Sequence, residues 1–507
     1  MDWSYPLRAA CERNPRRVAL RFRDSALTFA ELESRVAALA SGLSRVGMAG
    51  QTVAWMLGNT PEAIELSMAL ARVGAVSVPL NGRLTVEELA FILGDARPQA
   101  LVVEQPHLAR ALELRERVAG LTHVLLAEQD LSTPPPHGVV RLTELRDGVS
   151  ADCRQEIPDE RLATLLYTSG TTGFPKGVMR THRANAWNVV NSALGSPRTP
   201  EDVELCNLPA TGIGLLHFAI PALLGGATVV LDHTFDPRRA WRLLSETAAT
   251  RTFLAPTMLS AMLALPGTEA IELPRLRTIY TAYEFPERLR ERALARFGDV
   301  FIYMYGLTEA QLTCTRPGEL TAKPGSVGGA MGAMRIRICD PAGRPVGVGG
   351  VGEIELHGPS TMAGYHDRPQ ESALANNEGW LRTGDLGRID EDGDLHYVGR
   401  AKEMIKTGGF SVDPSEVERA LLTLDGVGEA AVIGVPDEHW GEMVLAFVVP
   451  AGGAAAPSEA AMIDGARACL AAYKLPKRIH VLQALPVNAT GKVERARLRE
   501  LAAATRA

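Results

Sequence analysis

The segment from Tyr167 to Val178 reads Tyr-Thr-Ser-Gly-Thr-Thr-Gly-Phe-Pro-Lys-Gly-Val and combines hydroxyls, glycines and one lysine. Glycines let backbone N–H groups approach an anion without a Cβ in the way, and the hydroxyls add donors. Lys176 adds a charge that can follow a departing pyrophosphate. The apolar stretch at 162–166 predicts a buried strand that leads into this segment. The pattern predicts a polyphosphate-binding loop, although a plain surface turn has a similar composition.

The loop differs from a Walker A motif, which requires Gly-Lys-Ser/Thr at the start of a helix. Here Pro175 precedes the lysine and Gly177 follows it. The order of residues resembles the phosphate loop of the adenylate-forming superfamily, which contains acyl- and aryl-CoA synthetases, nonribosomal adenylation domains and firefly luciferase. The resemblance implies catalytic roles for Thr168 and Lys176. It also implies that the following residues bind ATP: Thr168, Ser169, Gly170, Thr171, Thr172 and Lys176.

A second motif, Tyr-Gly-Leu-Thr-Glu at 305–309, follows the apolar run at 300–302. It places an aromatic face, a hydroxyl and a carboxylate close together, although a strand that ends in a polar turn has the same pattern. The motif resembles the superfamily's Tyr-Gly-x-Thr-Glu segment. The resemblance implies that Tyr305 packs on adenine, that Thr308 contacts phosphate, and that Glu309 holds Mg²⁺ and acts in catalysis.

A third motif, Gly-Trp-Leu-Arg-Thr-Gly-Asp-Leu-Gly at 379–387, places Asp385 between glycines. A carboxylate there can accept hydrogen bonds from both vicinal hydroxyls of a ribose. The resemblance implies that Asp385 and Arg400 bind the ribose. Lys402 falls where the superfamily places the hinge about which its small domain rotates between two catalytic poses.

Two C-terminal segments complete the resemblance. Lys492, in Asn-Ala-Thr-Gly-Lys-Val at 488–493, matches the catalytic lysine that contacts the substrate carboxylate and the α-phosphate. Such an ammonium can supply several kcal/mol of transition-state stabilisation. Gly408 and Gly409 match the loop that lines the pantetheine tunnel during thioester formation. A solvated lysine and a plain glycine turn are the structural alternatives.

The elements that must position these motifs follow an α/β pattern. Thr28 and Glu31 form a capping box ahead of apolar residues at helical spacing, and strand-like runs at 53–57 and 74–80 alternate with helices. This alternation predicts a large multi-layer domain with mainly parallel sheets. A fresh pattern, with Asp413 as N-cap and Pro414 at N1, begins after residue 400. We expect domains at 1–400 and 401–507, the second a small, mobile α+β domain.

Composition narrows the function. Among the 507 residues, a net charge of −6 without a basic stripe argues against a nucleic-acid partner. The six cysteines show no metal spacing, and the N-terminus lacks a signal-peptide pattern, so a cytoplasmic protein is expected. The uncharged stretch 205–231 contains prolines and a glycine pair, which predicts a loop, a short helix and a strand instead of a membrane span. A monomer or homodimer is expected.

The chain departs from the superfamily around the acid pocket. Leu208-Pro209-Ala210-Thr211-Gly212 has neither the aromatic-His pair of many CoA ligases nor the Asp that holds an amino-acid ammonium. The absent Asp argues against α-amino acids, because an unpaired buried ammonium is costly. Tyr283 lies where the superfamily has a Gly-Gly-Ala stretch. The pocket residues implied by the resemblance are Thr211, Gly212, Tyr283 and Met304.

The inferred reaction has two halves. A carboxylate attacks the α-phosphorus of Mg·ATP and gives an acyl-adenylate and pyrophosphate; the thiol of coenzyme A then displaces AMP. The expected substrate is a small-molecule carboxylic acid, which could be fatty, branched or aromatic; an uncharged acyl or aryl group is preferred, because residues 210–214 carry no charge. Two alternatives stay open: transfer to an acyl carrier protein or an amine, and a non-catalytic nucleotide-binding protein with the same fold.

Overall fold

The computed structural model describes part of the chain, as ranges that are separated by short gaps. These ranges are residues 2–127, 134–146, 156–168, 175–282, 287–400, 403–407, 410–437, 440–453, 457–467, 470–488 and 492–506.

The strands and helices alternate along most of the chain, as the sequence predicts. The strands are β1 (Val18–Phe22), β2 (Ser25–Thr28), β3 (Thr52–Met56), β4 (Val76–Pro79), β5 (Ala100–Val103), β6 (His123–Leu126), β7 (Val139–Arg141), β8 (Leu162–Thr168), β9 (Lys176–Thr181), β10 (Val203–Cys206), β11 (Thr228–Leu231), β12 (Arg251–Phe253), β13 (Thr278–Thr281), β14 (Phe301–Gly306), β15 (Gln311–Cys314), β16 (Gly329–Ala330), β17 (Arg335–Cys339), β18 (Gly352–His357), β19 (Gly364–Tyr365), β20 (Asn376–Asn377), β21 (Trp380–Ile389), β22 (Leu395–Arg400), β23 (Ile405–Thr407), β24 (Phe410–Val412), β25 (Val427–Asp437), β26 (Gly441–Pro450) and β27 (Arg478–Val481).

The α-helices are α1 (Tyr5–Arg13), α2 (Phe29–Arg45), α3 (Pro61–Arg72), α4 (Val86–Ala96), α5 (Leu108–Arg117), α6 (Leu142–Arg146), α7 (His182–Gly195), α8 (Ile220–Leu224), α9 (Pro237–Glu246), α10 (Pro256–Leu263), α11 (Glu287–Phe297), α12 (Glu319–Ala322), α13 (Pro369–Leu374), α14 (Pro414–Leu422), α15 (Glu459–Ala466) and α16 (Arg495–Arg506). Short 3₁₀ turns occupy Gln105–His107 and Ala451–Gly453, and an irregular π-type helical segment occupies Ala210–Ala219.

The chain forms two compact units. The first comprises Met1–Tyr283, Asp299–Ile336 and Leu356–Arg382, and the second comprises Glu284–Gly298, Arg337–Glu355 and Thr383–Ala507. The domain boundary expected at residue 400 stays a prediction.

Two large sheets build the first unit. One has the order β16-β15-β14-β13-β12-β10-β11-β1-β2 and is parallel from β14 to β1. The other has the order β19-β9-β8-β4-β3-β5-β6-β7 and is parallel from β8 to β7. Apolar residues of both sheets belong to one core, and every residue of α3 is buried. The predicted α/β fold with mainly parallel sheets is confirmed.

The second unit contains smaller antiparallel pairings. In one sheet β21 pairs with β22, and in another the order is β24-β23-β26-β25, with β27 parallel to β26. The predicted N-cap at Asp413 is confirmed, because its side chain accepts from the Ser415 N–H at 3.0 Å and α14 starts at Pro414.

Local signals in the first unit also fold as predicted. Thr28 and Glu31 form the capping box of α2, with Thr28 N donating to Glu31 Oε2 at 2.7 Å. The uncharged stretch 205–231 forms the irregular segment Ala210–Ala219, the short α8 and β11. None of the described helices has the length and apolar character needed to cross a membrane.

Candidate active site

The predicted phosphate loop joins β8 and β9, which pair antiparallel with Thr168 opposite Lys176. The Tyr167 hydroxyl donates to Asp95 Oδ2 at 2.7 Å, and a Cβ at Gly177 would lie 3.1 Å from the Tyr167 ring. This tight stem holds both ends of the loop at the carboxyl end of β8, an edge at which parallel sheets commonly bind ligands. The predicted loop residues Ser169, Gly170, Thr171 and Thr172 lie outside the described residues.

Lys176 is held by two groups that the sequence analysis did not identify. Its ammonium forms an ion pair with Glu371 of α13 and lies 5.4 Å from the centre of the Tyr365 ring. A cation over an aromatic face is attracted by the ring quadrupole. The side chain of Lys176 is 21% exposed, so the charge is partly shielded but still reachable from solvent.

Glu309 of the Tyr-Gly-Leu-Thr-Glu motif and Lys176 of the phosphate loop both contact Tyr365. Tyr305 lies near the end of β14, and Thr308 and Glu309 lie in the turn that follows. The Tyr365 hydroxyl donates to Glu309 Oε1 at 2.9 Å. The Met362 N–H donates to the Glu309 carbonyl at 2.8 Å, which fixes the backbone of the turn. Tyr365 therefore bridges the predicted phosphate-binding lysine and the predicted metal-binding carboxylate.

Buried Arg180 organises the backbone behind these residues. Its guanidinium donates to the carbonyls of Thr308, at 3.1 Å, and Ser360, at 3.3 Å, and to the side chains of Asn185 and Asn188. Burial lowers the pKa of Arg180 to about 10, and the Glu309 carboxylate opposes that shift. A fixed cation thus stands close to Glu309 and holds the turn that carries it.

The donor set fits a magnesium ion in the role expected of Glu309. Mg²⁺ prefers carboxylate oxygens and usually binds through one or two carboxylates plus substrate phosphates. Glu309 supplies a carboxylate whose orientation is set by Tyr365. In the described residues no group of three or more His, Cys, Asp or Glu could hold a metal ion.

Three of the four predicted acid-pocket residues lie in described parts of the chain. Gly212, in Ala210–Ala219, has non-helical dihedrals (φ −112°, ψ −139°), and a Cβ there would meet nothing within 4 Å. Thr211 is half-buried beside it, and Met304 is half-buried in β14 opposite Cys314. Tyr283 lies outside the described residues. The assignment of these residues to the acid pocket stays a prediction.

Three aromatic rings pack together in the core, and one of them, Phe218, belongs to the segment Ala210–Ala219. The ring centres of Phe218 and Tyr280 lie 5.2 Å apart, and those of Phe218 and Phe253 lie 5.3 Å apart. The Tyr280 hydroxyl is fixed by Arg251 at 2.8 Å, so the cluster is rigid. His217, which precedes Phe218, is buried and packs as a core residue.

In the second unit, the two predicted ribose-binding residues form a pair. Asp385 lies opposite Arg400 in the β21–β22 ladder, and Arg400 Nε donates to Asp385 Oδ1 at 3.0 Å. The Asp385 side chain is 3% exposed, whereas that of Arg400 is 29% exposed. The arginine thus orients the buried carboxylate and remains accessible itself.

Lys492 lies in the electrostatic field of that pair. The ammonium loses part of its hydration, and Arg400 and Arg495 repel it, so the pKa of Lys492 lies below its ordinary value; Glu403 and Asp385 oppose the shift. The second unit therefore brings together Asp385, Arg400 and Lys492. The predicted hinge residue Lys402 and the tunnel residues Gly408 and Gly409 lie outside the described residues.

Comparisons with known proteins show a family match along most of the chain. Residues 7–366 match the family model of the AMP-binding enzyme, and residues 416–492 match the model of the AMP-binding enzyme C-terminal domain. A feruloyl-CoA synthase of Amycolatopsis sp is 36% identical over 505 residues, which cover 98% of each chain. A fatty acid–[acyl-carrier-protein] ligase, ScoC of Streptomyces coeruleorubidus, is 34% identical and covers 94% of this chain and 91% of its own. The crystal structure of the anthranilate CoA ligase AuaEII with anthranoyl-AMP superposes with a TM-score of 0.89 at 27% identity, covering 99% of this chain and 98% of that chain.

Proposed function

Because the chain belongs to the AMP-binding enzyme family, we propose that it is an ATP-dependent ligase that joins a carboxylic acid to coenzyme A. The acid is first activated as acyl-AMP with release of pyrophosphate, and the CoA thiol then displaces AMP. The observation that carries the proposal is the meeting of Lys176 and Glu309 at Tyr365, because these two residues lie far apart in sequence. ATP, Mg²⁺ and coenzyme A are the cofactors.

The residues divide the chemistry between them. Lys176 binds the polyphosphate and neutralises charge on the departing pyrophosphate, while Asp385 accepts hydrogen bonds from the ribose. Lys492 stabilises the charge that builds on the α-phosphorus as the acid attacks. Glu309 would hold Mg²⁺, which would supply charge neutralisation at the phosphates. In the second half, we assign Gly408 and Gly409 to the lining of the tunnel through which the pantetheine thiol reaches the acyl-adenylate.

Aromatic acids are the substrate class that we favour. The feruloyl-CoA synthase and the anthranilate CoA ligase, both named for aromatic acids, match over almost the whole chain. The segment 210–214 carries no charged side chain. An uncharged aromatic ring can be buried beside this segment without desolvating a charged side chain.

ATP–pyrophosphate exchange with a panel of acids tests this proposal. Exchange should depend on the acid and be greatest with hydroxycinnamic or aminobenzoic acids, with fatty acids as the comparison. Exchange with none of the acids would contradict the proposal and leave a non-catalytic nucleotide-binding protein.

The thiol acceptor needs its own measurement. Coenzyme A consumption should equal AMP release in the complete reaction. AMP release without loss of the CoA thiol would point instead to a carrier protein, the acceptor named for the Streptomyces coeruleorubidus relative.

A further inference from the structure

We propose that Arg495 positions Lys492 for the adenylate-forming half-reaction, by anchoring the turn that carries the lysine to α14 and β25. The inference rests on the proposed function, because Lys492 acts in that half-reaction. Arg495 is the first residue of α16 and follows Lys492 by three positions.

Backbone and side-chain hydrogen bonds join the described segments on either side of residues 489–491. Val487 and Val493 form an isolated antiparallel bridge, and the Asn488 N–H donates to the Lys492 carbonyl at 2.8 Å. The Lys492 N–H donates to Asn488 Oδ1 at 3.0 Å, and the Glu494 N–H donates to the Pro486 carbonyl at 2.9 Å. These bonds join residues 486–488 to residues 492–494, and we call the joined segments the lysine arm. The direction of this arm depends on what holds its base.

Arg495 holds that base through two neighbouring elements. Its Nη2 donates to Glu418 Oε1 of α14 at 2.6 Å, and its Nε donates to the Val432 carbonyl of β25 at 3.4 Å. Glu418 Oε1 also accepts from the Val432 N–H at 2.8 Å, so one carboxylate ties three elements together. The side chains of Arg495 and Glu418 are 18% and 17% exposed, which makes this charge-assisted contact stronger than a typical surface pair.

A weaker contact links Arg495 to Glu403. Arg495 Nη1 lies 3.8 Å from Glu403 Oε2. The Glu403 N–H donates to the Arg400 carbonyl at 3.0 Å, so Glu403 adjoins the ribose-binding pair. Arg495 and Glu403 both act on the Lys492 ammonium electrostatically. The contacts of Arg495 therefore set both the direction of the segment that carries Lys492 and the charges around its ammonium.

Apolar packing offers a purely structural alternative for α16. Leu498 and Ala502 are buried against Ile433 and Phe447, and this contact could hold the helix without Arg495. Loss of Arg495 would then lower stability but leave the two half-reactions equally affected. Under the proposal, loss of Arg495 lets the arm pivot, and a shift of about 1 Å at a reacting group can cost about a hundredfold in rate.

The ratio of two half-reactions separates these possibilities. For Arg495→Ala and Glu418→Gln, ATP–pyrophosphate exchange and thioester formation from supplied acyl-AMP are measured on the same preparation. The ratio of the two rates is independent of the fraction of folded enzyme. Arg499→Ala, at an exposed position of the same helix, is the matched control.

We expect Arg495→Ala to lower the exchange-to-thioester ratio by about tenfold or more and Glu418→Gln by a few-fold, with Arg499→Ala at the wild-type ratio. A wild-type ratio in both Arg495→Ala and Glu418→Gln would overturn the inference. That outcome is distinct from failure of the proposed function, in which the wild type itself would show no exchange.

The pH dependence supplies an independent readout. Burial raises the pKa of Glu418 to about 7; Arg495 and the Val432 N–H oppose the shift, while Asp413 and Glu403 add to it. The ionised carboxylate binds the guanidinium more strongly, so the anchor strengthens as pH rises through this value. The wild-type exchange rate divided by that of Glu418→Gln should therefore increase between about pH 6 and pH 8. A constant quotient over that range would contradict a role for the anchor in catalysis.

Discussion

Tyr365 contacts both Lys176 and Glu309 and is the residue whose change should separate nucleotide binding from metal binding. Tyr365→Phe removes the 2.9 Å hydrogen bond to Glu309 and keeps the ring beneath Lys176. Loss of a hydrogen bond to a charged group should raise the Mg²⁺ concentration needed for half-maximal ATP binding by about tenfold. Calorimetric titration with ATP at several Mg²⁺ concentrations measures it, and affinity for ATP in chelator should stay at the wild-type value. An unchanged Mg²⁺ requirement would show that Glu309 needs no such support.

Lys492 is expected to act in one half-reaction only. Lys492→Ala should lower adenylate formation by at least about a hundredfold, because an ammonium at the developing phosphoryl charge is lost. Thioester formation from supplied acyl-AMP should stay within about twofold, since the role proposed for the lysine is confined to adenylate formation. Rapid-quench assays of each half-reaction give both rates. Full-rate adenylation in the variant would remove Lys492 from the mechanism.

The sequence predicted the residues that lie in recognisable motifs and missed the residues that hold them. Lys176, Glu309, Asp385 and Lys492 each stand in a motif of ordered residue types. Tyr365 belongs to a strand of two residues, too short to show any periodicity. Glu371 pairs with Lys176, and buried Arg180 binds the Ser360 carbonyl. Each contact joins residues at least 180 positions apart, and no local sequence pattern encodes such a contact.

At the scale of elements, α2 packs so closely on α6 that only a glycine fits between them. A Cβ at Gly42 would overlap the carbonyl oxygen of Leu145. Gly42→Ala should therefore lower the free energy of unfolding by about 2 kcal/mol through overpacking, as measured by urea denaturation. Gly94→Ala is the matched control, because Gly94 is an exposed position of α4 with nothing within 4 Å of the added Cβ. It should raise the free energy by about 0.5–1 kcal/mol. Equal effects of the two changes would contradict this account.

Elements with strong local signals were predictable, and irregular ones were predictable only in outline. The capping box of α2 and the N-cap of α14 are encoded by three or four adjacent residues. The segment Ala210–Ala219 was expected as a loop and short helix, but Gly212 interrupts it with non-helical dihedrals. That conformation depends on tertiary contacts, because glycine itself permits several alternatives.

At the scale of the whole molecule, buried His182 should make the first unit sensitive to acid. It is 0% exposed at the start of α7, and its Nδ1 accepts from the Trp3 N–H at 3.2 Å, which ties the N-terminal segment to the sheet region. Burial lowers the pKa of His182 to about 4 from an ordinary value of 6.5. The unfolded chain therefore binds the proton more readily, and stability is lost as pH falls through that window, by up to about 3 kcal/mol.

Tryptophan fluorescence can follow this loss. Of the six tryptophans, five belong to the first unit: Trp3, Trp55, Trp187, Trp241 and Trp380. The urea midpoint of the wild type should fall between about pH 6.5 and pH 5 more steeply than that of His182→Gln, which cannot take up the proton. Parallel midpoints for the two proteins would assign the acid sensitivity to other groups.

Which segments group into one compact unit is a property that sequence patterns do not predict. Residues 284–298 and 337–355 group with the C-terminal part of the chain, although both precede residue 400. Compactness of this kind depends on contacts between distant residues, which periodicity and composition do not record.

Arg180 has a consequence for anyone who wishes to retarget this enzyme. The guanidinium binds Asn188 Oδ1 at 3.3 Å, and Asn188 Nδ2 in turn donates to the Leu216 carbonyl at 3.2 Å. The C-terminal half of the segment Ala210–Ala219, which is proposed to bind the acid, is thereby tied to the turn of Thr308 and Glu309, whereas Gly212 faces open space. Randomised libraries at 211 and 212 should yield active clones with altered acid preference, while libraries at 180 and 188 should yield almost none. We therefore expect that acid preference can be changed without loss of nucleotide binding only at positions 211 and 212, which are not linked to Arg180.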